Sequence, residues 1–211
     1  MHSKTFFWLA GAWVLVLALG TSIAVAQATT AGGLGGQHLG GVINDFTPAH
    51  DATGKPSGPW EMHGVWHMDL SSDGSKANFR AAFTMENSDY WLLINPNPPA
   101  NPDEPSTRTP HTHHIWLNNA QVTTDPSEVA SSCPTAGYKP ATTTGFMITG
   151  PAKVTANGAN PPFAPDGQTS QLTVCVTGGN QVGFSNVTLV FGAPASGHFG
   201  SQAINGAVRR K

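Results

Sequence analysis

The chain has 211 residues, a net charge of −2 and only 10% charged residues, against roughly 25% in an ordinary soluble domain. That balance leaves no electrostatic footprint for nucleic acid, and the short basic run Arg209-Arg210-Lys211 does not supply one. The gap is filled partly by 24 glycines and 17 prolines, which weigh against long helices, and the length suits a single domain.

Residues 1–26 read as a secretory signal peptide. Lys4 gives the positive start, an apolar run extends from Phe6 to Leu19, and Ala24-Val25-Ala26 and Ala26-Gln27-Ala28 both fit the small-x-small cleavage pattern. The rival reading is an uncleaved anchor, since Phe6 to Ala26 is nearly long enough to span a bilayer. Thr21, Ser22 and the alanine-rich end favour cleavage, which leaves no membrane span and a secreted or periplasmic mature chain. Residues 27–45 are rich in glycine and read as a flexible tether, ahead of a β domain over 46–211.

From Trp60 onward apolar residues alternate, and no stretch of twelve sustains a helical stripe. Asp73-Gly74 is a type I′ turn signal. Placed at a hairpin tip, it pairs Met68 with Phe79, Trp66 with Ala81, Gly64 with Phe83 and Met62 with Met85, all on one apolar face. A slip of one residue would scramble that face, so pattern and register agree. The opposite face carries Glu61, His63, Val65, His67 and Asp69 against Thr84, Ala82 and Arg80. A tight turn at Asn87-Ser88 would add Trp91 to the row of His63 and Thr84. Such a mixed face suits a lumen, a cleft or a platform for a small-molecule, glycan or surface ligand, with Trp91, Trp116, His67 and Glu61 as contacts.

Asn95 to Pro110 holds six prolines in sixteen residues and must be an irregular loop, because proline cannot feed a central ladder. It delivers the chain to His111-Thr112-His113-His114-Ile115-Trp116-Leu117, a strand on which His111 and His113 share a face. Further strands are expected at Gly145–Thr155, Gln171–Thr177, Gln181–Phe191 and Ala203–Val208. Gly178-Gly179-Asn180 reads as a three-residue hairpin loop pairing Val176 with Val182 and Val174 with Phe184, with a bulge near Ser185-Asn186. About eight short antiparallel strands imply an all-β domain, a sandwich or a closed barrel. Cys133 and Cys175 are the only cysteines. In an exported chain they read as a disulfide, and neither neighbourhood offers a base or positive charge to activate a thiolate.

Neutral imidazoles bind zinc or copper, and catalytic zinc sites use three protein ligands with one position left open. His111 and His113 are two candidate ligands, His63 or His67 a third from a neighbouring strand and His198, in Gly197-His198-Phe199-Gly200, a fourth. Glu61 could be a ligand itself, orient one or serve as a base. Against this, Arg80 opposite His67 disfavours a cation, and exposed histidines on a strand need no ligand. No Gly-x-Ser-x-Gly, Walker, dinucleotide or EF-hand pattern occurs. Two functional readings follow. One is an exported non-catalytic β-domain that binds a ligand or surface through the His/Trp face. The other is a zinc- or copper-binding metalloprotein, a metal-dependent enzyme included.

Overall fold

The computed structural model describes residues 33–47, 60–87, 110–133, 145–161, 163–178, 185–200 and 202–209. The leader, the Asn87-Ser88 turn beyond its first residue, Trp91 and most of the proline-rich loop lie outside them. Among the described residues no helix is long and apolar enough to cross a membrane.

Eight antiparallel strands close into a barrel in simple sequence order. They are β1 (His38–Thr47), β2 (Trp60–Leu70), β3 (Lys76–Asn87), β4 (His111–Thr123), β5 (Gly145–Ala156), β6 (Ser170–Thr177), β7 (Asn186–Phe191) and β8 (Ile204–Val208). Of the two all-β architectures open to the sequence, the closed barrel is the one formed. Closure removes the unpaired edges that a sandwich leaves exposed. The β2–β3 register is the one the Asp73-Gly74 signal predicts, with Met62 opposite Met85 and Met68 opposite Phe79. The turn is not type I′, however: Gly74 alone of the pair takes positive φ, and its N–H donates to Ser71 O. The apolar face of this hairpin is the barrel interior: Met62, Trp66, Met68, Phe79 and Met85 are all fully buried.

Two further expectations fail. Residues 38–45 are not a tether but most of β1, which pairs with β2 along its length and with β8 from Gly41 to Ile43. The glycines there answer to space, not flexibility. A Cβ on Gly41 would stand 1.8 Å from the Ala207 carbonyl oxygen and 2.8 Å from Trp66 Nε1. Without it, the Trp66 indole N–H donates to Ala207 O at 3.1 Å and fastens the seam between the first and last strands. The second failure is the β6–β7 hairpin. Val176 pairs with Val187 and Val174 with Leu189, not with Val182 and Phe184. Val187 and Leu189 are fully buried in the core, whose demand for apolar side chains overrides the local glycine turn signal.

β4 carries a bulge that the alternation does not announce. Its register against β5 shifts between Trp116 and Gln121, and Asn119 takes φ 53° while its N–H donates to Asn78 Oδ1. The inward set therefore changes parity, from His113, Ile115 and Leu117 to Ala120 and Val122.

The connection after β4 contains α1 (Pro126–Ser132), capped by Asp125, whose carboxylate accepts from the Ser127 and Glu128 N–H groups. The Cys133–Cys175 disulfide forms at its end. With Val129 and Met147 it makes a small apolar cluster separate from the interior. The barrel ends differ. β2 turns tightly into β3 at one end. At the other, called the mouth below, the odd strands end and the even strands begin, so the long stretches 48–59 and 88–109 leave and return there.

A candidate metal centre at the barrel mouth

At the start of β4, His111 and His113 face inward at the mouth. The β3–β4 ladder sets His111 opposite Met85 and His113 opposite Phe83, both partners from the apolar face. His113 is fully buried. The third histidine comes from the β7–β8 connection, where α2 (Ser196–Phe199) presents His198 and buries Phe199 beside it. His198 Nε2 lies 3.1 Å from His113 Nε2 and 3.4 Å from His111 Nε2. These three residues each offer a donor atom within 4.8 Å of the others and could hold a metal ion.

Protonation follows from the surroundings. His113 Nδ1 is 3.1 Å from Thr155 O, and a carbonyl only accepts, so Nδ1 carries the hydrogen and Nε2 presents a lone pair. Burial, reinforced by His198 and then His111, holds the His113 value well below its ordinary 6.5. Burial, then His111, lowers His198 to about 4. Both are neutral near pH 7, the state a metal requires. A single proton on His198 Nε2 serves only one of these two short contacts. His198 can give one proton to His113 Nε2, and then has no lone pair left for His111. A cation accepts all three lone pairs at once.

The spacing suits one. Donors about 2.0–2.1 Å from a tetrahedral zinc ion stand about 3.3–3.4 Å apart, close to the two distances above. An aromatic shell surrounds the imidazoles. Phe163 stacks on His198 with centroids 5.1 Å apart, Phe199 meets the His113 ring at 4.9 Å and Trp60 meets His111 edge-on at 5.4 Å. A shell of this kind limits water and fixes ring orientation.

The other predicted site residues go elsewhere. His63 pairs with Thr84, which pairs with Thr112, so it stands on the outer wall and not with His111 and His113. The expected shared pocket of residues 63, 111 and 113 is thus overturned; β4 meets β3 with its histidines in phase with Phe83 and Met85. His63 Nε2 instead approaches Glu61 Oε2 at 3.2 Å and Glu86 Oε1 at 3.9 Å, in an exposed group that also has metal-binding spacing. Solvated ion pairs of this type need no metal and contribute little. His67 is exposed opposite Arg80, as the hairpin register implies. Trp116 lies on the outer wall, stacked on His114 at 5.7 Å. The Thr155 carbonyl and Phe163 were not foreseen. No sequence signal marks the first, and the second lies in a loop whose only hint is an aromatic among prolines.

No family model matches this chain, and comparison with curated proteins and with solved structures finds no match either.

Proposed function

We propose that this is an exported metalloprotein whose His111, His113 and His198 imidazoles hold one zinc or copper ion at the barrel mouth. The observation that carries the reading is the convergence of three Nε2 atoms, one locked in its ligating tautomer by Thr155 O. Three neutral protein ligands leave a coordination position for water or a substrate atom, the arrangement that lowers the pKa of bound water in hydrolytic and hydration enzymes. Export is supported by the leader pattern and by the disulfide, which persists in oxidising compartments.

Metal analysis of the purified protein beside a His111→Ala/His113→Ala double variant tests this. About one equivalent of zinc or copper, lost in the variant, is expected. A metal-free protein whose thermal stability is unchanged by added zinc or copper would remove the proposal.

A second reading, a non-catalytic domain that binds a ligand or surface through its outer wall, rests on a different observation. Val42 and Val65 face each other on β1 and β2, 48% and 49% exposed, with Phe46 at 51% on the same strand as Val42. His63 and His67 flank Val65 on that wall. Binding of a candidate ligand that survives Val65→Ser would count against it.

A further inference from the structure

The interior row next to the triad is made of thioethers. Met62 on β2 pairs with Met85 on β3, which pairs with His111 on β4. Both methionines are fully buried inside the barrel. Cross-strand partners on one face have Cβ atoms about 4.5–5.5 Å apart, so the flexible Met85 side chain begins within reach of the His111 ring. Gap filling is what methionine commonly does in a core. Here, though, the two thioethers stand on the interior row that leads to His111.

Charge points the same way. Three imidazoles bring no negative charge, so a dication would keep both of its own inside an aromatic shell. The carboxylates of Glu61 and Glu86 are on the outer wall with His63. Asp45, which the β1–β2 ladder sets opposite Met62, is engaged by the backbone and side-chain N–H groups of Asn205. Among the described residues no carboxylate joins the triad. The solvation penalty of an ion in a low-dielectric site grows with the square of its charge, so a monovalent ion pays about a quarter of it. Thioether donors also select Cu(I) over zinc.

Resting on the triad reading above, we infer that Met85 Sδ is a fourth donor and that the centre holds monovalent copper, with Met62 packed behind it. The metal-free protein would be loaded anaerobically with Cu(I) and examined by copper-edge X-ray absorption. Affinities would be measured by competition with a chromophoric Cu(I) chelator and, separately, a zinc chelator. The expected spectrum shows nitrogen donors and one sulfur. Met85→Leu, close in volume and tolerated by packed cores, should abolish the sulfur signal and weaken Cu(I) at least tenfold, with zinc affinity changed less than threefold. Met62→Leu should keep the sulfur signal. The disulfide sulfurs lie outside the barrel interior and do not contribute.

A sulfur-free wild-type spectrum overturns the inference without any variant. So does an equal loss of both metals in Met85→Leu, which marks a packing effect. Cu(I) and zinc binding that depends on the triad but ignores Met85 overturns it while leaving the triad proposal standing. Failure of every metal to bind sinks both.

Discussion

Acidification of the metal-free protein gives a direct measure of how firmly the fold holds its histidines neutral. His113 and His198 have folded values below the ordinary 6.5, chiefly because burial penalises the imidazolium. The unfolded chain therefore binds more protons than the folded one at mildly acidic pH. This stabilisation is fully present above 6.5 and is lost as pH falls toward the folded values. For His198, lowered to about 4, the window is 6.5 to 4, and at about 1.4 kcal/mol per pH unit the loss across it is about 3 kcal/mol. His113 adds to it in the same direction. Asp73 and Asp125, lowered by hydrogen bonds from neighbouring serines, act below 3.8 and leave this window clear. Urea unfolding in the presence of a chelator, at pH 7.5, 6.5, 5.5 and 4.5, is the assay. Stability should fall steeply below pH 6.5, and His198→Gln should flatten the slope by about one proton. Constant stability from pH 7 to 5, or an unchanged slope in His198→Gln, would refute the account of two histidines buried uncharged.

Two further outcomes test the scaffold. Replacing both cysteines by serine opens a link with a sequence separation of 42; on the chain-entropy model this removes about 4 kcal/mol, or about 8–16 °C in Tm by calorimetry. Metal content should be unaffected, because the bridge joins α1 to the outer wall. Gly41→Ala would drive a Cβ to 1.8 Å from Ala207 O, so urea unfolding should show a loss above about 3 kcal/mol or no folded protein. Gly197→Ala, with nothing within 4 Å of the added atom, should stay within about 1 kcal/mol of the parent.

How much of this was legible in the sequence depended on whether register had a local marker. In the first hairpin Asp73-Gly74 fixes the phase, so every pair from Trp66–Ala81 to Met62–Met85 could be written down and the interior recognised. Between β3 and β4 there is no such marker. A long proline-rich connection can deliver His111 in either phase, and the phase alone decides whether those imidazoles line the interior or join His63 outside. His198 was visible as a candidate, yet its arrival depends on where the β7–β8 connection folds, which no pairing rule encodes. Residues 38–45 misled for another reason. Glycine signals flexibility in isolation, while here Gly41 is small because Trp66 and Ala207 need the space.

The seam between β1 and β8 has a kinetic consequence. The earliest and latest strands must meet before the ring is complete, and the N–H of Arg209 closes onto Gly40 O only then. Contacts between such distant parts of a chain form slowly, since most of the loop entropy is lost before they are made. The ring therefore cannot close until β8 has been synthesised and is free to pair with β1. Truncation before Ile204 should leave the chain a substrate for chaperones and proteases.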